Sequence, residues 1–513
     1  MHTPRRLARS MGLFTVLLPA LLAGVVPGAR ADVDVTSLVR RLDEQEARIR
    51  LLEARLKAQD AVIAAATPAG APGAVRSAAA VATAAPPANL EVSPPRIALT
   101  SPNGETQIRL HGEFTLDGRF FTDGTTSAGS RETWLIRRAR PIVDGTFGGL
   151  FDFRFNPDFA GGKTVIQDAY VAARFESWAV FTAGKFKQPF GLERLQPSAN
   201  NRFMELGLPS DLVPNRDIGV QFSGSVLDNR VSYQLGWFNG AQDGVSSDAN
   251  VPPDVDNNNS KDAAARVLVQ PFLASDTVAL RGLSIGLAAS YANQTGSASN
   301  TLLPSYRTEG QRPFFAYDSV RTLAGLLPAA SPTIAAGRRM RLSPQLTYYE
   351  QSLGVLAEYV RESQDVRRSI GGGANLVTNR ARLDHETWQV YSTYLLTGEK
   401  ATYATVVPNE PLAIGKAGWG AWELALRYST LNLDPATFGT PSGVASGEWF
   451  ADPTQQARAL HAWTAGLNWY LTANVGWMLD YGLTKFSGGA GTPGLVRNRG
   501  DERWLFTRFQ VNY

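Results

Sequence analysis

The sequence predicts an all-β fold: a transmembrane antiparallel β-barrel of about 16 strands, preceded by an N-terminal coiled-coil helix. Three observations carry this. Apolar and polar residues alternate with period two from residue 96 to the C-terminus. The alternating segments are joined by short turns such as "LTANVG" and long polar loops such as "GAQDGVSSDANVPPDVDNNNSKD". Finally, the chain ends "RWLFTRFQVNY", an amphipathic strand whose last residue is aromatic, where chain ends are usually frayed and polar.

The elements follow in order. Arg5, Arg6 and Arg9 precede the apolar stretch "MGLFTVLLPALLAGVV", and Ala29-Arg30-Ala31 supplies a small-residue cleavage site. Residues 1–31 therefore read as a signal peptide. A retained anchor is the alternative, but the stretch is short and Pro19 interrupts it. No later run of about 18 uncharged apolar residues occurs, so no spanning helix is expected. The 513 residues include no Cys, which excludes a disulfide scaffold and thiolate metal sites. The net charge of +4 is misleading: Arg5, Arg6, Arg9 and Arg30 leave with the signal, so 46 of the 50 bases face 46 acids. A neutral mature chain gives no support to a nucleic-acid partner.

Residues 32–66 change period. Leu38, Leu42, Gln45, Ile49, Leu52, Leu56, Gln59 and Ile63 follow a heptad seam, with Glu44, Arg48, Glu53 and Lys57 between them. A lone helix docked on a domain is the plainer reading; without a second helix nearby in sequence, self-association is expected. Residues 67–95 are rich in Ala, Pro, Thr, Ser and Gly and read as a linker.

Residues 96–513 form the barrel domain. "IRLHGEFTL" sets Ile108, Leu110, Phe114 and Leu116 against Arg109, His111, Glu113 and Thr115. "FDFRF", "DIGVQFSGSV", "VSYQLGW", "LSIGLAASY", "TWQVYSTYLL", "AWELALRYST" and "AWTAGLNWYL" continue the pattern. A soluble sandwich alternates too, with its apolar face inward. Isolated polar-face charges, and Trp463, Trp469, Trp477 and Tyr481 near segment ends, favour the membrane barrel with its aromatic girdles. At about 26 residues per strand and loop, the domain holds on the order of 16 strands, enough to leave an aqueous channel. The terminal strand then pairs with the first, which abolishes the free edge.

"AGKFKQPFGLERLQPSANNRFMELGLPSDLVPNRDIGVQFSG", with "LIRRARP", "GGKTVIQDAYV" and the closing "TRFQVNY", resembles the phosphate-selective porins O and P of Gram-negative outer membranes. The likeness spans roughly residues 100–240 and the last fifty. It implies a trimeric 16-stranded channel for small anions such as phosphate or polyphosphate, with an inward-folded loop. The final aromatic, Tyr513, resembles the signal read by the barrel-assembly machinery.

The residues themselves leave selectivity open. The polar faces place Arg109, Arg154, Arg174, Arg427 and Arg508 in the lumen with Glu113, Asp117, Asp152, Asp168, Glu176, Glu423 and Asp480, a lining of mixed sign. Residues 185–216 are more basic: Lys185, Lys187, Arg194, Arg202 and Arg216 face Glu193, Glu205 and Asp211. Lys185 and Lys187 share a strand face opposite Phe186. Such cations either select anions at a constriction or brace the loop against wall acids. "IRRARP" puts Arg138 and Arg140 on one face and Arg137 on the other, and mid-depth lipid rejects either set at a cost of about 2–4 kcal/mol. "DVDNNNS" lacks the Gly and the bidentate Glu of a calcium loop, and the His residues are isolated, so no metal, cofactor or catalytic residue is expected. The competing functions are a non-selective or sugar-conducting porin, a structural tether through the periplasmic stalk, and, least favoured, an outer-membrane hydrolase using His461.

Overall fold

The computed structural model describes residues 89–93, 96–123, 132–162, 164–240, 260–318, 331–370, 377–439, 450–492 and 495–513. The expected signal segment, the coiled coil, most of the linker and most of "DVDNNNS" lie outside them. Part of the expected linker is strand. β1 (Asn89–Ser93) pairs antiparallel with β2 (Arg96–Thr100). "NLEVS" is short enough to vanish in a composition averaged over 67–95.

The ring begins at β3 (Gln107–Phe121), β4 (Thr133–Phe147), β5 (Phe151–Asp158), β6 (Val165–Glu176) and β7 (Ala179–Lys187). It continues with β8 (Arg216–Val226), β9 (Val231–Phe238), β10 (Asp262–Val269) and β11 (Leu283–Thr295). A small hairpin, β12 (Ser305–Arg307) with β13 (Pro313–Ala316), stands apart from it. Then come β14 (Ile334–Glu350), β15 (Leu353–Ile370), β16 (Val377–Leu395), β17 (Ala421–Asn432), β18 (Ala457–Tyr470) and β19 (Val475–Thr492). β20 (Leu495–Asn498) folds back on β19, and β21 (Glu502–Asn512) ends the chain.

Setting aside the two hairpins and β20, sixteen described strands pair antiparallel in sequence order, and β21 closes on β3 with Trp504 opposite Phe121 and Asn512 opposite Glu113. Closure leaves no unpaired edge in the ring. No helix among the described residues is long and apolar enough to cross a membrane; the crossing is made by strands.

Side-chain alternation sorts the two faces. On β18, Trp463 and Ala465 are exposed, while Ala462, Thr464, Gly466 and Asn468 are buried inside. On β21, Arg503 and Phe509 face out; Glu502, Trp504, Phe506, Arg508 and Gln510 face in. Outward rings form an in-register row, Trp422–Trp469–Trp477–Phe509, with Trp422 and Trp469 stacked at 4.9 Å. Such a row suits the membrane interface at the short-turn end.

The C-terminal aromatic has a structural seat. Tyr513 N–H donates to Gly112 O at 3.0 Å, and Gly112 N–H donates to Tyr513 O at 2.6 Å. A Cβ at position 112 would lie 2.5 Å from Tyr513 Cζ, so only glycine lets the ring lie across the closing seam.

Candidate functional site

Part of the barrel interior is packed rather than open. Residues 188–215, between β7 and β8, enter it as an irregular loop. Pro189, Pro197, Pro209 and Pro214 prevent ladder pairing, and the chain makes only brief helical turns at Leu192–Leu195, Ser198–Asn200 and Leu208–Asp211. Its apolar side chains Phe190, Leu192, Phe203, Met204, Leu208, Leu212 and Val213 are each at most 1% exposed. They bury against strand residues Leu356, Val360, Tyr391, Leu431 and Leu460.

A buried loop must satisfy its backbone, and wall side chains do this. Glu358 accepts from Leu192 N–H at 2.6 Å, and Asp480 from Met204 N–H at 2.7 Å. Gln345 donates to Phe190 O at 2.6 Å and Asn468 to Arg202 O at 2.9 Å. On the opposite wall, Glu205 of the loop meets Arg119 at 2.6 Å and Arg137 at 3.2 Å. The loop thus spans the interior from β3 and β4 to β15–β19.

Two further segments enter. The β12–β13 hairpin buries Tyr306, Phe314 and Phe315, and its Glu309 accepts from Ser429 at 2.6 Å and pairs with Arg427 at 2.9 Å. From the other end, residues 402–405 meet the loop: Thr402 O and Ala404 O accept from Arg202, and Thr405 donates to Asn200 at 2.7 Å. Neither insertion follows from alternation, although aromatic "PFFAY" inside a loop is a sign of burial.

Open space remains beside β3–β8. A cleft of about 490 Å³ is lined by Arg109, His111, Glu113, Asp144, Arg154 and Arg216 among others, with Pro197–Asn200 of the loop above it. A second space of about 420 Å³ shares Arg109, Asp144 and Arg154 and adds Asp152 and Arg174. Asp144 binds Arg109 and His111 at 2.6 Å each and Arg154 at 3.3 Å. Asp168 holds Arg216 at 2.7 Å.

The cations singled out in the sequence fall into three groups. Arg216 lines the cleft. Arg138, Arg140, Arg427 and Arg508 lie inside but are engaged: Arg138 with Glu113 (3.5 Å), Arg140 with Asp158 (2.7 Å), Arg427 with Glu309, and Arg508 with Asp117 (2.7 Å). The third group holds the loop. Lys187 donates to Gln196 O at 2.5 Å, Arg194 to Ser210 O at 2.6 Å, and Arg202 pairs with Glu423 at 3.4 Å. Lys185 is buried on β7, and Phe186 between the lysines packs edge-on against Tyr170, whose ring lines the second space.

Arg137 differs from its expected position. Thr115 pairs with Arg138 and Leu116 with Ile136, so Arg137 occupies a β-bulge. The extra residue breaks strict alternation, and Arg137 reaches Glu205 inside the barrel, as do Arg138 and Arg140 their own partners. All three avoid lipid.

Electrostatics in the loop follow from these contacts. Arg137, Arg119 and Arg508 outweigh the burial penalty on Glu205 and hold its carboxyl down at about 2.

None of the curated sequences compared matches the chain. Among solved structures, the outer-membrane channel DcaP of Acinetobacter baumannii is similar at TM-score 0.46 and 10% identity, covering 81% of this chain and 99% of that one. The trimer form of OmpT from Vibrio cholerae gives 0.44 and 10%, covering 80% and 99%. The anion-selective porin of Comamonas acidovorans gives 0.42 and 10%, covering 80% and 100%. The sequence profile described as phosphate-selective porin O and P matches residues 106–513, which is the whole barrel from just before β3 to the terminal Tyr513, and the chain therefore belongs to that porin family.

Proposed function

We propose that the protein is a water-filled channel for passive diffusion of small anions, phosphate or polyphosphate among them, across a Gram-negative outer membrane, and that it works as a homotrimer. One observation carries the anion preference. In the open spaces the arginines reach further into water than the carboxylates that pair with them: side chains of Arg109 and Arg154 are 28% and 29% exposed, against 12% for Asp144 and 10% for Asp168. The charges nearly balance in number, yet a permeating ion meets the guanidinium edges first. Those edges offer planar paired donors that suit phosphate. Carboxylates behind them weaken each stop, as conduction requires.

Reversal potentials in a salt gradient across a planar bilayer test this. The wild type should prefer anions, Arg109→Glu/Arg154→Glu should move towards cations, and Lys185→Glu/Lys187→Glu should move less. The near-balance of charge favours a non-selective or sugar-conducting porin as second reading, and equal permeability to both ions would select it. Absence of stepwise conductance would select the tether.

A further inference from the structure

The outer wall carries a charge pattern that conduction does not use. On β18 and β19 the outward step from the lower aromatic row to the first charged or imidazole side chain is the same: Trp469 to His461 and Trp477 to Lys485, eight residues each. Eight residues of strand rise about 26 Å, or about 20 Å along the membrane normal at the usual tilt. That is close to the apolar band of an outer-membrane barrel, about 25 Å, once long side chains reach beyond it. His461 and Lys485 are opposite each other in register and lie towards the long-loop end, which in such barrels is the extracellular side. Arg503 on β21 pairs with Leu483, two residues from Lys485, and is exposed on the same outer face. A bulge between Ala457 and Ala459 leaves Arg458 exposed above them.

Among the described residues no carboxylate forms an ion pair with Arg458, His461, Lys485 or Arg503; Glu502, beside Arg503 in sequence, is buried on the inner face, where it accepts from Thr308. The neighbouring wall is different. On β14–β16 three outward arginines carry partners: Arg361 meets Asp384 at 3.1 Å, and Asp365 takes Arg382 at 2.9 Å and Arg338 at 3.8 Å; Arg367 and Arg380, opposite each other in register, have no carboxylate partner among the described residues. Among the described residues the basic stretch on β18–β21 holds no carboxylate partner of its own, whereas that on β14–β16 holds Asp365 and Asp384.

We infer that this outward cluster, Arg458, His461, Lys485 and Arg503 on adjacent strands, binds the phosphate groups of an anionic phosphorylated glycolipid in the outer leaflet. Charge complementarity and depth support it. The side chains sit where a headgroup meets the acyl boundary, with Trp463, Tyr481, Leu483 and Leu505 below them to contact acyl chains. Guanidinium and ammonium groups at that depth match phosphate oxygens.

The full-length protein in nanodiscs of neutral phosphatidylcholine, titrated with bis-phosphorylated lipid A or the same lipid stripped of phosphate, tests this by native mass spectrometry. The phosphorylated form should be retained selectively. Each basic side chain at an anionic surface changes partitioning about fivefold, so Arg458→Gln/Lys485→Gln/Arg503→Gln should weaken retention on the order of a hundredfold. Arg361→Gln/Arg382→Gln, on the self-paired wall, should change it little. Conductance of both variants should match wild type, because these side chains face away from the lumen. Equal retention of stripped lipid by the wild type overturns the inference even if a variant fails to fold. Displacement of the lipid by millimolar inorganic phosphate would assign the cluster to free phosphate and overturn it equally, as would a larger loss in the β15–β16 variant.

Discussion

Glu205 is the point at which the interior loop can be loosened without touching the barrel ladder. Its carboxylate lies 2.6 Å from Arg119, 3.2 Å from Arg137 and 4.0 Å from Arg508, and it is 6% exposed. Those guanidiniums lower its pKa from 4.5 to about 2. A carboxyl held down that far has its charged form stabilised by about 3 kcal/mol. The pKa is depressed in the docked loop, so this contribution is complete above about pH 4.5 and is lost as pH falls through about 2. Glu205→Gln removes the charge at every pH and leaves Arg137 and Arg119 facing a neutral amide, which costs a similar amount. At about 1.4 kcal/mol per decade, amide hydrogen exchange in 188–215 should quicken on the order of a hundredfold at pH 7, with exchange in β14–β19 unchanged. Single-channel current should be noisy in the variant at pH 7, and in the wild type only on acidification below about pH 4. A variant as quiet as wild type and equally protected at 188–215 would refute the reasoning, because the loop would then be held by its apolar contacts alone.

Three further outcomes are expected. Cysteines at Leu467 and Trp469 should label only with lipid-soluble reagents and a cysteine at Arg174 with water-soluble ones, whereas Asn468→Cys should resist both because the loop covers it; the reverse pattern would turn the barrel inside out. Deleting Tyr513, or replacing Gly112 with Leu so that its side chain occupies the ring's seat, should slow insertion, seen as less heat-modifiable barrel; normal levels would mean the seam closes without them. If the proposed trimer is held by the barrel, deleting 33–66 should leave trimers intact on native gels, and monomers would assign trimerisation to the heptads.

Closure of the barrel was legible in the sequence because period two reports directly on which side chains meet lipid and which meet the interior. Each β-strand states its two faces locally, so Trp469 and Asn468 are sorted without any knowledge of their partners. The same local rule failed at Arg137, where one extra residue in the strand reverses the face. That bulge is set by how β3 and β4 pair, and no single strand records it. The interior was less legible still. The family likeness implied an inward-folded loop, but whether Arg202 and Lys187 face an ion or a carbonyl depends on Glu423, Gln196 and residues 402–405, which alternation cannot bring together.

The sequence by itself determined the barrel class, the faces of its regular strands, the aromatic rows and the family. Tertiary structure decided which charges meet water. Arg109, Arg154 and Arg216 entered the open cleft, Arg202 and Arg427 became struts, and Glu309 arrived from a loop more than a hundred residues from Arg427. The physical reason is that solvation of a charge is a property of everything packed around it, and in a closed barrel those neighbours come from opposite walls.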